Sequence, residues 1–162
     1  DQKKAPATSM IPFTVIVDSR EQTPSDLGPL KWEGGTLCTG DYSIKGLTDF
    51  IRIERKELSD LIACCGRERA RFNREIIRLK GFAHKAVIVE ADWSDIYAGK
   101  WRGKIIPKQV IHSIARWTLD GVPFVLCGKR PLSCQMLQRM LYLCAKQYYN
   151  INKSFIKTKE KV

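Results

Sequence analysis

The chain alternates short apolar runs with polar breaks marked by glycine or proline. FTVIV, from Phe13 to Val17, is a β-rich run that stops at Asp18 and predicts a central strand. SREQTPSDLGPL follows and reads as turn, with its prolines and its glycine. In the next stretch, WEGGTLCTGDYSI, Gly34 and Gly35 break the pattern and Gly40 bends the chain just before Asp41. A turn at KGLTD makes residues 42 to 56 a hairpin. The period then changes. Leu58, Leu61 and Ile62 fall at helical spacing, and GRERARFNREIIRLK continues or restarts that helix with Phe72, Ile76 and Leu79 on its apolar face. AVIVEA, Ala86 to Ala91, is almost wholly apolar, as a strand covered on both faces requires.

DWSDIYAGKWRGKIIP reads mostly as loop, and Pro107 suits the first position of a helix. Val110, Ile114 and Trp117 form that helix's stripe, with Ile111 beside it, and Gly121 ends it. VPFVLC predicts another buried strand. SCQMLQRMLYLCAKQYY predicts a last amphipathic helix, with Met136, Leu137, Met140, Leu141 and Cys144 inward and Ser133 as cap. Trp93, Trp101 and Trp117 read as core. Strands first and then alternating helices and strands predict an α/β fold with a central mixed β-sheet flanked by helices. One domain over 13–149 is expected, with a polar, flexible N-terminal tail over 1–12 and a frayed, basic C-terminal tail over 150–162.

Charge narrows the partners. Basic residues exceed acidic ones by 28 to 17, a net charge of +11 on 162 residues, which suits a polyanion such as nucleic acid. No apolar run approaches the length of a membrane span, and the basic helices lack a long one-sided aromatic face, so a membrane role is disfavoured. Cys64 and Cys65 are adjacent and no CxxC pair occurs, which argues for reduced thiols in a nuclear or cytoplasmic setting and against a zinc site.

The hairpin carries charges where a core strand should be apolar. In FIRIERK alternate residues share a face, so Ile51, Ile53 and Arg55 point one way and Arg52, Glu54 and Lys56 the other. Asp41 lies at the lip of the preceding strand. Two carboxylates brought together are costly unless a cation neutralises them, and Mg²⁺ or Mn²⁺ prefers carboxylate oxygen. A lysine beside such a pair can orient water or steady charge on a phosphate. Asp41, Glu54 and Lys56 are thus a minimal set for metal-dependent phosphodiester hydrolysis. The same spacing is also compatible with a solvated strand whose charges pair across the hairpin.

IVDSRE, GDYSI and IERKELSDLI, in that order, closely resemble the nuclease domain of the XPF-type structure-specific endonucleases. That family's signature, GD followed at a distance by ERK and an aspartate, corresponds here to Gly40-Asp41, Glu54-Arg55-Lys56 and Asp60; RFNREIIRL and the AVIVE strand extend the likeness over roughly residues 14 to 148. The resemblance implies a restriction-endonuclease-like core and a Mg²⁺- or Mn²⁺-dependent endonuclease acting on branched, flap, fork or junction DNA. It implies Asp41, Glu54 and the backbone carbonyl of Arg55 as metal ligands, Asp18 completing the acidic cluster, Lys56 as catalytic lysine, and Arg20, Glu21, Arg55 and Asp60 as supporting site residues. It further implies a homodimer or heterodimer through the nuclease domain, by helices near 107–120 and 133–148. The alternative is an inactive nuclease-like domain that only binds DNA or a partner subunit. Family members usually carry a tandem helix-hairpin-helix domain after the nuclease domain, whereas only a short basic stretch follows Tyr149. The expectation is an isolated domain or a compact member of the family.

Two basic clusters are candidates for phosphate contact. Arg67, Arg71, Arg74 and Arg78, with Arg69 among them, follow the hairpin; Lys100, Arg102, Lys104 and Lys108 surround Trp101. A solvated helix face remains open for the first cluster. For the second, Trp101 either meets a base or anchors the loop.

Overall fold

The computed structural model describes residues 11–159. A single six-stranded sheet forms the centre, in the order β2-β1-β3-β4-β5-β6. Strand β1 (Thr14–Asp18) lies parallel to the edge strand β2 (Lys31–Gly35) and antiparallel to β3 (Tyr42–Ile44). The expected hairpin is β3 with β4 (Ile51–Glu57), antiparallel. Strands β5 (His84–Glu90) and β6 (Phe124–Leu126) then add in parallel, so the sheet is mixed.

The parallel steps need crossovers, and helices supply them. Helices α1 (Leu58–Cys65) and α2 (Arg69–Lys80) connect β4 to β5, and α3 (Trp93–Ala98) and α4 (Pro107–Leu119) connect β5 to β6. The last helix, α5 (Arg130–Lys159), covers the opposite face. Two cores result. On one face Val87 and Val89 meet Leu61, Phe72, Ile76, Ile114 and Trp117; on the other Ile53, Ala86 and Ile88 meet Leu137, Leu141 and Cys144. The alternation along β5 serves both, which is why Ala86 to Val89 carry no polar position.

Several elements differ from expectation for local reasons. Strand β2 runs through the glycine pair instead of breaking there. A Cβ on Gly35 would stand 2.8 Å from Ile16 Cγ2, so the close parallel pairing with β1 requires glycine. Helix α3 replaces part of the expected loop because Asp92 accepts a hydrogen bond from the backbone N–H of Asp95, whose side chain accepts one from the Asp92 N–H. Trp117 is core, Trp101 is partly buried, but Trp93 is 52% exposed. Met136 also faces outward; Leu137, Leu141 and Cys144 take the inward stripe instead. Helix α5 continues through most of the expected C-terminal tail, to Lys159. Residues 1–10 of the expected N-terminal tail and 160–162 of the C-terminal one lie outside the described residues. All six cysteines are free thiols.

Trp117 ties the crossover helices together. Its ring meets Phe72 edge-on at 4.9 Å and stacks on Phe124 at 5.3 Å, and its Nε1–H donates to Asn73 Oδ1. Trp117→Ala should therefore destabilise the protein by about 3–5 kcal/mol, measurable by urea denaturation. A loss under about 1 kcal/mol would show that this face is not held by Trp117.

Candidate active site

The pleat of β4 sorts its charges by face. Ile51 and Ile53 belong to the α5-side core, and Arg55 follows them on that side. Arg52, Glu54 and Lys56 point to the α1–α2 side and are buried there. Asp41 reaches the same region because β3 pairs with β4: the Asp41 N–H donates to Ile53 O at 2.8 Å, and the Arg55 N–H donates to Asp41 Oδ2 at 2.8 Å. Gly40 makes the turn into β3 with φ of +77°, and a Cβ there would press on Arg52 Cβ at 3.2 Å. Arg52 donates to Thr39 O and Thr48 O, which fixes the loop bearing Asp41.

Lys56 Nζ is 2.8 Å from Glu54 Oε1 and 5.0 Å from the centre of the Phe72 ring. Burial works against the Lys56 ammonium, but Glu54 outweighs it and holds the group above the ordinary lysine range. Burial raises the Glu54 carboxyl, and the charge of Asp41 raises it further; Lys56 only partly offsets them. Asp41 is raised to about 6, first by burial and then by the charge of Glu21, against the Arg55 N–H bond. Asp41 therefore disfavours the ionisation of Glu54, and Glu21 that of Asp41. Glu75, the sole acid of α2, is a third carboxylate within electrostatic reach of Asp41, Glu54 and Lys56. Its sequence signal was its position four residues after Arg71 on an otherwise basic helix.

Asp18 closes β1 next to Asp41, its N–H donating to Asp41 O. Its side chain is engaged by Arg20, whose Nε–H and Nη2–H donate to Oδ1 and Oδ2 at 3.2 and 2.6 Å. Burial opposes ionisation of Asp18, but Arg20 prevails and lowers its pKa. Arg20 also donates to Leu37 O and is otherwise open to solvent.

Arg55 lies behind the site, on the α5 side. It pairs with Glu21 at 3.2 Å, Glu90 at 3.0 Å and Glu57 at 3.4 Å. Glu90 also accepts from Ser133 Oγ, and Arg130 stands 3.6 Å from it while donating to Thr23 O and Pro24 O. This network joins β4, the loop after β1 and the first turn of α5. Glu90, Arg130 and Ser133 were not marked by sequence as site neighbours, since their partners are more than thirty residues away. Asp60 is exposed in the first turn of α1.

Arg67, Arg71, Arg74 and Arg78 are all exposed, as are Lys100, Arg102, Lys104 and Lys108. Arg71 pairs with Glu68 at 2.7 Å. Arg69 is not part of a free cationic face: it donates to Ser113 Oγ and lies over Trp117. Trp101 anchors its loop, Nε1–H donating to Ile105 O, and the Ile105 side chain packs where a Cβ on Gly66 would be, at 3.1 Å. The two basic clusters thereby become neighbours beside Gly66 and Arg67. Among the described residues, no group of three or more His, Cys, Asp or Glu side chains is arranged to hold a metal ion. No described helix is long and apolar enough to cross a membrane.

The ERCC4 domain family matches residues 17–140. No curated protein matches. Among solved structures, XPF from Aeropyrum pernix is similar at a TM-score of 0.64 and 19% identity, over 91% of this chain and 73% of that one. The same archaeal protein in complex with DNA gives 0.66 and 22% identity, over 84% of this chain and 66% of that one. At these identities the likeness is one of fold.

The raised pKa of Asp41 generates a signed prediction. Its folded value of about 6 exceeds the ordinary 3.8, so the folded state holds this proton more tightly than the unfolded state. Its stabilising contribution is then lost as pH rises through that window. Asp41→Asn has no such proton to lose. In chelator, the mutant's melting temperature should rise relative to wild type between about pH 4 and about pH 7. Mg²⁺ at the upper pH should stabilise wild type and not the mutant. A difference flat with pH would remove Asp41 from the raised-pKa pair.

Proposed function

This chain belongs to the ERCC4 domain family, and from that premise we propose that it is a divalent-metal-dependent DNA endonuclease domain that hydrolyses phosphodiester bonds in branched or junction DNA. The observation that carries this reading is the half-buried Asp41 brought to one face with the buried Glu54, with Lys56 bonded to Glu54. Such a pair gains most from a cation. Its donors are hard oxygens, which fit Mg²⁺ or Mn²⁺, and Mg²⁺ is commonly held by one or two carboxylates together with water and substrate phosphate. A group of three protein ligands is then not needed. Asp41 and Glu54 would hold the ion, with the Arg55 carbonyl as a further donor. When bound, the metal supplies an activated water and polarises the phosphate.

The chain's own residues do the rest. Lys56, fixed by Glu54 and Phe72, presents a permanent positive charge to the attacking water or to the oxygens of the phosphate. Asp18 holds Arg20 at the rim, where its guanidinium can meet the DNA backbone. We therefore place Asp18 and Arg20 as a positioning pair instead of adding Asp18 to the metal ligands. Glu21 orients Arg55, and Arg55 fixes the strand from behind. Asp60, exposed in the first turn of α1, is kept as a supporting residue on the family resemblance alone. The exposed cations of α2 and of loop 99–106 would hold the duplex by its phosphates without reading sequence. Dimerisation would use the outer surface of α5, where Leu132, Met136 and Leu143 are exposed beside β6.

A second reading is an inactive domain that binds DNA or a partner subunit. The lack of a three-ligand group among the described residues and the direct Lys56–Glu54 ion pair favour it. Labelled splayed-arm and flapped duplexes decide between the two. Cleavage with Mg²⁺ or Mn²⁺ and none with chelator is expected; binding without cleavage under every metal would leave the second reading.

Two variants test the roles. Lys56→Met keeps much of the stem but removes the charge. Single-turnover cleavage should fall by about 10²–10³, with DNA affinity little changed. A large affinity loss at an unchanged chemical rate would make Lys56 a phosphate anchor only. Reversing Arg74 and Arg78 to glutamate should weaken binding to all DNA shapes alike. It should lower the salt slope by roughly 0.9 for each duplex phosphate that is no longer neutralised. An unchanged slope would return this helix face to solvent.

A further inference from the structure

Helix α3 carries two large aromatic side chains that the core does not use. Trp93 is 52% exposed and Tyr97 81% exposed. They stand four residues apart, so both rings lie along one side of the helix, while Ile96 is fully buried in the core. Neither ring makes a ring contact or a hydrogen bond among the described residues. Single exposed apolar side chains are ordinary on a protein surface, but here two large rings share one side of a short helix.

Their place in the fold supplies a reason. Lys56 on β4 is in register with Val89 on β5, and α3 leaves the carboxyl end of β5 four residues later. Gly99 caps α3 in the left-handed conformation, and a Cβ there would meet Pro107 Cγ at 3.0 Å, so the start of α4 folds back against the end of α3. The loop between them bears Lys100, Arg102 and Lys104, with Lys108 just inside α4. None of these four cations is in an ion pair among the described residues. Asp92 and Asp95 are the nearby acids, and both are occupied in capping the helix. Flat exposed rings beside unpaired cations match an unpaired nucleic-acid strand, whose bases stack and whose phosphates attract charge.

We propose that Trp93 and Tyr97, with the basic loop 99–106, form a stacking platform for the unpaired strand of a branched DNA substrate, apart from the cations of α2 to which the duplex is assigned. The inference rests on the DNA-directed reading above and deepens it: the platform recognises the single-stranded side of a junction by base stacking. Trp101 is not one of the stacking rings, because it is spent on anchoring the loop.

Binding of labelled oligo-dT and of a blunt duplex of equal length, measured by fluorescence anisotropy on the full chain in chelator, tests the proposal. The joint change Trp93→Ala and Tyr97→Ala should weaken oligo-dT binding by on the order of 10- to 100-fold and leave the duplex nearly unchanged. The paired Phe variants should retain binding, whereas the paired Leu variants, which keep apolar bulk without a π-face, should lose it. Equal losses on both DNAs, retention by the Leu pair, or no loss at all would overturn the platform. So would unaltered DNA binding together with weakened self-association, since the rings would then contact protein. Because binding is read in chelator, a selective loss on oligo-dT would stand even if the wild type cuts nothing, so the two readings fail separately.

Discussion

Like charge in a confined place governs this structure. Asp41 immediately precedes β3 and Glu54 lies on β4, and the pairing of these strands brings a half-buried and a buried carboxylate to one face. Desolvation raises both, and repulsion adds to it, from Glu21 and Glu75 on Asp41 and from Asp41 and Glu75 on Glu54. Lys56 offsets part of this, but it is bonded to Glu54 and leaves Asp41 with one backbone N–H. The fold thus holds in place a charge deficit that a divalent ion would relieve. Removing Lys56 would deepen the deficit, and removing Asp41 would relax it, so the two residues are opposed in stability although joined in chemistry.

Holding such a site open requires rigidity elsewhere. Arg55 provides it through the other face of the same strand. Its guanidinium is only 8% exposed and faces Glu21 and Glu90, both nearly buried, with Arg130 adding a further positive charge near Glu90. Breaking one partner of a buried ion pair costs about 3–5 kcal/mol, because the other charge stays behind unpaired. The cost falls on the strand that carries Glu54 and Lys56. One residue between them therefore fixes their register from the opposite side of the sheet, and it also joins α5 to the loop after β1. This explains why the strand staggers charges instead of burying an apolar residue at position 55.

Much of this was legible in the sequence, because strand alternation is a strict rule. The period of two along FIRIERK separates Arg55 from Glu54 and Lys56, and the structure keeps that separation. The apolar run AVIVE likewise announced a strand covered twice. What remained hidden depends on long-range partners. Glu75 looked like one acid in a basic helix until α2 packed it toward the hairpin. Arg69 looked like one more cation until Ser113 and Trp117 enclosed it. Asp92 had the right chemistry for a helix cap, yet the glycines and charges around the following segment concealed a short helix of under two turns. Trp93 is the instructive failure. Tryptophan is usually core, yet on α3 it is Ile96 that enters the core, and Trp93 is left half-exposed at the helix start.

Packing also decides how the charge of +11 is used. Arginines 52, 55 and 69 are committed inside the fold, two of them to uncharged oxygens and one to carboxylates. They contribute to net charge but cannot meet a polyanion. Among the cations left at the surface, Arg67 and Lys104 are brought near each other where Ile105 packs against Gly66, so that the loop after α3 meets the segment before α2. The absence of a side chain on Gly66 eases that approach, since a Cβ there would press on the end of the Ile105 side chain at 3.1 Å. An apolar contact between two segments far apart in the chain thus helps arrange the charges that a nucleic acid would meet.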